Sequence, residues 1–255
     1  MSETAVTPSK VEKPGSPIRI GCAGWAIRTD CSEHFPEAGS HLARYAERFN
    51  AVEINSTFHR SHRPATFARW AESVPADFLF SLKGPKAIIH ERRFVDVADI
   101  WRRFVADISP LGPKLSVILI QTPGSLEFDR EVGGAFFETL RATYDGAVVL
   151  EARNAGWAQD DAEKLLSGLG IGRVAADPPK GAGDGSPRGR IAYHRLHGSP
   201  HVYHSAYGEQ FLEQLGAKAM AEAAEGLPVW CVFDNTARGA ATGNAIRLTE
   251  IIRQS

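Results

Sequence analysis

The sequence predicts an α/β fold, a TIM-type (β/α)8 barrel whose sixth β/α unit is degenerate. Three observations predict it. Short runs rich in Val, Ile, Leu or Phe recur along the chain, bounded by Gly, Pro, Asp or Asn, as strands are. Stretches of helical periodicity lie between them, and repeated strand-then-helix order means parallel strands with crossover helices. Polar residues then stand at every second position at the ends of successive strands. Side chains alternate faces along a strand, so each polar set projects from one face. In a barrel of this kind the active site lies at the C-terminal strand ends, where these polar residues already are.

The elements follow in order. Ile18–Cys22 reads as the first strand, and His41–Phe49 as a helix with Leu42, Tyr45, Ala46 and Phe49 on one face. Ala51–Asn55 is a strand that sends Glu53 and Asn55 one way and Val52 and Ile54 the other. Pro64 suits the first turn of a helix over Thr66–Ser73, whose Phe67 and Trp70 face together. Phe78–Lys83 places Ser81 and Lys83 on one face; Val97–Ile108 carries the apolar stripe Ile100, Trp101, Phe104 and Ile108. Leu115–Gln121 ends in a lone amide, and Ala135–Tyr144 is the helix after it. Ala147–Glu151 runs on into Arg153, and Asp160–Leu169 is helical. Gly172–Ala176 is the sixth strand. Asp177–Pro187, dominated by Pro and Gly, cannot be a helix, so the crossover over 177–190 is expected to be a loop, and a mobile one over the site. Ile191–Leu196 presents Tyr193 and Arg195, with His197 in the same phase and His194 pointing outward. Glu209–Glu225, Val229–Phe233 and Ala240–Ile252 complete the set.

The chain has 255 residues, 43% hydrophobic and 23% charged, the composition of a globular protein with ample core material. Residues 18–255 are expected to form one barrel domain, and the Thr, Ser, Pro and Lys of residues 1–17, which have no apolar signal core, a disordered lead-in. No apolar run approaches membrane-spanning length, so no membrane partner is expected. The formal net charge of −1 advertises neither nucleic acid nor an acidic surface. Three cysteines without CxxC spacing argue against a disulfide framework or a zinc site and for a reducing, cytoplasmic compartment.

The polar set carries the chemistry. Glu53 and Glu151 are the candidate carboxylates, able to act as acid and base or as acid and nucleophile, provided their environments differ. The structural alternative pairs Glu53 with Lys83 and Glu151 with Arg153 or Arg195 in an ion network. Lys83 has three readings: an imine-forming amine, an anion ligand, or, as its nearness to Glu53 favours, a charged salt-bridge partner. His197 is the candidate proton shuttle, or else a histidine fixed at its strand end. Arg153 and Arg195 converge from different strands in a manner suited to one anionic group. Asn235 and Thr236 follow the last strand, where a barrel often binds phosphate, although Asn-Thr is also an ordinary helix cap. Asn55, Gln121 and Tyr193 are placed to bind substrate. Trp25, Phe58 and Trp157 follow strand ends, either to stack a ligand or to seal the core. A divalent metal held by Glu53, Glu151, His197 and Asp177 is the competing reading, weakened by the absence of HxH or HExxH spacing and by the crowding cations. No other cofactor is expected.

Six segments also resemble a known family. Gly21-Cys22-Ala23-Gly24-Trp25, Glu53-Ile54-Asn55-Ser56-Thr57-Phe58-His59-Arg60 and Phe80-Ser81-Leu82-Lys83-Gly84-Pro85 are similar to motifs of the YecE-like family, domain-of-unknown-function family 72. So are Glu151 to Trp157, Tyr193 to Gly198 and Phe233-Asp234-Asn235-Thr236, in order over nearly the whole chain. The resemblance implies a TIM-type barrel and no established reaction. His59 departs from a frequent Tyr, and Asp234 from a frequent Asn. Site and fold together suggest an enzyme using hydrolase-like Glu/His acid–base chemistry on a small polar or anionic substrate, phosphorylated or sugar-like. The alternatives are a non-catalytic binding module for a phosphate ligand or nucleic acid, which is not favoured, and a metal-dependent hydrolase or isomerase.

Overall fold

A computed structural model describes residues 18–181 and 186–254. The expected disordered segment, residues 1–17, lies outside the described residues. Eight parallel strands form one sheet in the order β1-β8-β7-β6-β5-β4-β3-β2. They are β1 Ile18–Cys22, β2 Ala51–Ile54, β3 Leu79–Lys83, β4 Leu115–Gln121, β5 Ala147–Glu151, β6 Ile171–Asp177, β7 Ala192–Leu196 and β8 Val229–Phe233. Among the described residues seven α-helices alternate with them: α1 His41–Ala46, α2 Pro64–Glu72, α3 Ala98–Ile108, α4 Arg130–Thr143, α5 Asp160–Gly168, α6 Glu209–Ala224 and α7 Ala240–Gln254. This is the TIM-type (β/α)8 barrel, and the described part of the β6–β7 crossover holds no helix.

The strand phases sort the core into two shells. Ala51, Val117, Leu119, Val149, Val174, Ala176, Tyr193, Trp230 and Val232 fill the barrel interior. The alternate residues, such as Ile54, Leu82, Ile120, Leu150 and Phe233, pack outward beneath the helices. Each fully buried aliphatic side chain contributes about 1.5–3 kcal/mol, so a one-residue slip of any strand is strongly disfavoured. That constraint aims the polar strand ends inward.

Two helix boundaries differ from expectation by three residues or more. Helix α4 starts at Arg130 rather than Ala135, because the Asp129 carboxylate accepts from the backbone N–H groups of Glu131 and Val132 and so caps the helix ahead of Gly133-Gly134. Helix α1 ends at Ala46, and the chain then turns tightly through Glu47 to reach β2.

The ring closes between β1 and β2 by side chains rather than by a ladder. One parallel bridge, Ala23 with Glu53, joins the two segments at the mouth. Below it, the Tyr45 hydroxyl accepts from Cys22 N (2.8 Å) and donates to Ala51 O (3.2 Å). Lower still, the Asn50 amide accepts from Ile20 N and donates to Ile18 O, both at 3.0 Å. A Cβ at Gly21 would lie 2.0 Å from Ala51 O, so glycine is required for this close approach.

Candidate functional site

The inward phase of five strands brings the charges together. Arg195, on β7 two residues beyond Tyr193, is fully buried at the centre. Its Nη2 and Nε donate to the two oxygens of Glu53 at 2.8 and 3.1 Å. Nη1 donates to Glu151 Oε2 at 3.0 Å, and Nη2 lies 2.9 Å from Asp234 Oδ2. One guanidinium therefore binds three carboxylates from β2, β5 and the end of β8. The remaining oxygen contacts are also spent. Tyr193 donates to Glu53 Oε2 at 2.9 Å and takes up Ser81 Oγ at 2.6 Å, while Arg153 Nε donates to Glu151 Oε1 at 3.2 Å.

His197 is clamped between carboxylates, with Nδ1 3.0 Å from Asp234 Oδ2 and Nε2 3.1 Å from Glu151 Oε1. Burial opposes its charge, but the bonds to Asp234 and Glu151 prevail and raise its pKa. Burial would likewise raise the carboxyl of Glu151, yet Arg195, His197 and Arg153 hold it well below the usual range. Asp234 is lowered in the same way against burial by Arg195, His197 and Lys83. The centre is thus a network of fixed charges. The surrounding charges favour the ionised form of Glu151 and the protonated form of His197.

Lys83 stands apart. Its side chain is 8% exposed, and among the described residues no carboxylate pairs with it. Its Nζ instead lies 4.3 Å from the centre of the Phe58 ring. Burial first, and then the neighbouring charge of Arg195, bring its pKa down to about 8, against a smaller upward pull from Glu53, Asp234 and Glu151. The expected Glu53–Lys83 pair is therefore replaced by Glu53–Arg195. On the strands that flank β3, Asn55 Oδ1 just past β2 and Gln121 Nε2 at the end of β4 are buried without a hydrogen-bond partner, as is His90 Nδ1 in the turn after β3. The rings of Phe58 and His90 meet edge to face at 4.9 Å.

Among the sequence candidates, Glu53, Glu151, Tyr193, Arg195, His197 and Arg153 share this network, and Lys83 borders it. Four candidates make their contacts outside this network. Trp157 is buried in the outer core, its indole N–H donating to Leu126 O at 2.9 Å, because the chain turns at Asn154 and carries the ring outward. Asn235 follows outward-facing Phe233 and is buried against Ser205 O and Asn244 Oδ1, where it fastens the loop after β7 to α7. Thr236 is exposed beyond it. Trp25 is half-buried, edge-on to Trp70 at 5.0 Å. His194 points outward, as its phase requires, to Glu222.

Sequence reasoning passed over Asp234, Tyr203 and His90 as site residues. The phase of Trp230 and Val232 points Asp234 inward, so the signal was present. Tyr203 comes from the loop after β7, accepts from Arg153 Nη2 at 3.0 Å and lies edge-on to His197, which no periodicity encodes. The crossover after β6 packs over the same rim. A Cβ on Gly181 would lie 2.2 Å from the Arg153 backbone, and Pro178 and Lys180 roof a crevice of about 10 Å³ above Glu151 and His197. Among the described residues no group of three or more His, Cys, Asp or Glu is arranged to hold a metal ion. Of the carboxylates that would hold such an ion, Glu53 and Glu151 are turned onto Arg195 and His197, and Asp177 Oδ1 accepts from the Tyr207 hydroxyl.

Comparison with known proteins agrees with the barrel. A DUF72 family protein from Thermotoga maritima MSB8 superposes with a TM-score of 0.76 at 23% identity, covering 92% of this chain and 99% of that one. A second, from Enterococcus faecalis V583, gives 0.76 at 20% identity over 93% and 96%. The UPF0759 protein YecE of Escherichia coli (strain K12) is 28% identical over 141 residues, 53% of this chain and 52% of that protein. YecE of Escherichia coli O157:H7 is 33% identical over 84 residues. The chain thus spans about half the length of the first of these relatives, or less of the second. The sequence profile described as "Protein of unknown function DUF72" matches residues 19–255 and so takes in every strand-end residue of the mouth. With that match running through the whole barrel, the chain belongs to the DUF72 family.

Proposed function

We propose that this protein is an enzyme that performs acid–base or nucleophilic chemistry on a small anionic substrate at the barrel mouth, with Lys83 as the reactive group. The observation that carries the reading is the unpaired, buried amine of Lys83 beside polar atoms that have no partner within the protein. A buried polar group without a partner costs about 1–3 kcal/mol, a cost that a bound ligand removes. Arg153, partly exposed and next to Glu151, supplies positive charge for an anion at the same rim. The hydrolase-like pair of Glu53 and Glu151 receives less support. Both carboxylates bind one guanidinium, and the low pKa of Glu151 denies it the part of a protonated acid. Their part here is to fix Arg195, which in turn depresses Lys83.

A nucleic-acid partner is less well supported. The groove of about 550 Å³ beside the mouth mixes Arg60, Lys86 and Arg103 with Glu91 and Asp107 rather than forming a basic stripe. A reducing compartment suits three free thiols, of which Cys22 and Cys231 are buried. No helix among the described residues is long and apolar enough to cross a membrane.

The test is a thermal-shift screen with inorganic phosphate, sugar phosphates and small keto and hydroxy acids, run on wild type, Lys83→Met and Arg153→Ala. A ligand near 100 times its Kd stabilises by about 2.7 kcal/mol. The reading expects at least one such ligand whose effect disappears in both variants. Stabilisation that survives both substitutions refutes it.

A further inference from the structure

We infer that the substrate is a carbonyl-bearing anion and that Lys83 joins its carbonyl carbon as an imine, an inference that rests on the reading of the mouth as an anion-binding enzymatic site. The geometry behind it is a division of the mouth into two halves. Toward β7 and β8 the polar groups consume one another: Arg195, His197, Glu53, Glu151 and Asp234 form closed pairs, and Ser81 is taken by Tyr193. Beyond Glu53 on β2 and Ser81 on β3, and at the end of β4, the next inward polar groups remain uncommitted. Lys83 ends β3, Asn55 follows β2 and Gln121 ends β4; Asn55 Oδ1 and Gln121 Nε2 are buried without a partner. Gln121 is 3% exposed, and its strand phase, shared with Val117 and Leu119, aims it inward.

The chemistry of these groups fits a carbonyl more closely than a phosphoryl group. Arg153 supplies charge for a carboxylate at the rim. The Gln121 amide N–H is a neutral donor for the carbonyl oxygen, and the Asn55 amide oxygen is a neutral acceptor for the hydroxyl that forms from it. Neither amide competes with the amine for a proton. The Phe58 ring covers one side of Nζ; its face favours the ammonium, and burial and the charge of Arg195 oppose that pull. Attack of the neutral amine forms the C–N bond and one amine proton passes to the oxygen. The carbinolamine then expels that oxygen with the second amine proton as water, and the nitrogen lone pair closes the C=N bond. Amine and carbonyl become imine and water, with no oxidant or reductant.

The test uses glyoxylate, a small anionic aldehyde, with cyanoborohydride to reduce any imine, followed by peptide mapping of the intact chain near pH 7. Lys86, half-exposed and paired with Glu91, serves as an internal control in the same digest. The inference expects stoichiometric modification of Lys83 before Lys86, lost in Lys83→Arg, together with a glyoxylate-induced thermal shift that Arg153→Ala removes. An Arg153-dependent thermal shift without trapping at Lys83 overturns the imine and leaves the anion-binding reading intact. Modification of Lys83 no faster than Lys86, with no thermal shift, overturns both.

Discussion

Replacing Lys83 by Met should stabilise the fold while removing the proposed activity. A lysine whose folded pKa lies below its unfolded value makes folding less favourable whenever the unfolded chain carries the proton and the folded chain resists it. Here burial and Arg195 take the amine from 10.5 to about 8. At about 1.4 kcal/mol per pH unit, that difference amounts to roughly 3 kcal/mol at pH 7 and below. Between pH 8 and 10.5 the unfolded state binds more protons than the folded state, so wild-type stability gains from this residue as pH rises through that window. Lys83→Met has no such proton, and its thioether retains contact with Phe58. Urea denaturation at pH 7 should therefore show the variant more stable by roughly 1–3 kcal/mol, with the difference shrinking toward pH 10.5. A variant less stable than wild type at pH 7, or a gap that does not change with pH, would refute the reasoning, because it would mean that Lys83 is held by an attractive partner after all.

Other expectations follow from the same network and from the seam. Arg195→Met leaves Glu53, Glu151 and Asp234 buried without their shared cation, and should cost about 3–5 kcal/mol at pH 7 in chemical denaturation. Because Glu151 and Asp234 are depressed in the folded protein, their contribution is present above the unfolded carboxylate values and lost as pH falls through the folded ones; the Arg195→Met deficit should therefore narrow in acid. His197→Gln should show the opposite trend. The raised imidazole contributes fully below its unfolded value of 6.5 and loses that contribution as pH climbs through the folded value, so variant and wild-type melting temperatures should converge in base. Tyr45→Phe should cost about 1–3 kcal/mol and speed hydrogen exchange at the Cys22 amide, which donates to the tyrosine oxygen; unchanged exchange there would mean that the seam does not depend on it.

The barrel could be read from the sequence because apolar runs buried on both faces alternate with helical stretches, and the polar residues at every second strand-end position set the phase of Tyr193 and Glu53. The partners of those residues could not. Which carboxylate meets Arg195 depends on which strand ends converge across the barrel, and Lys83 was assigned to Glu53 only because nothing local pointed to β7. The phase of Trp230 and Val232 led to Asp234, but the usual phosphate position after the last strand drew the reading on to Asn235 and Thr236. Trp157 was misplaced for a related reason, since the short helical turn at Ala155–Ala158 rotates the chain away from the mouth. The side-chain stitches of Tyr45 and Asn50 left no periodic trace at all.

Those stitches give the ring a natural place to begin and end. Every other neighbouring pair of strands is zipped by a parallel ladder, including β1 with β8, which lie at opposite ends of the chain. Strand β1 is thus anchored to the last strand made and only basted to the next one. During synthesis the ladder that holds it does not exist until Val229–Phe233 has been added, so the earlier strands can assemble as an open sheet before the ring shuts. A circular permutant that opens the chain between β1 and β2 and appends β1 after α7 would turn this long-range closure into a local β-α-β step. In such a molecule the order of assembly would run from one end of the sheet to the other.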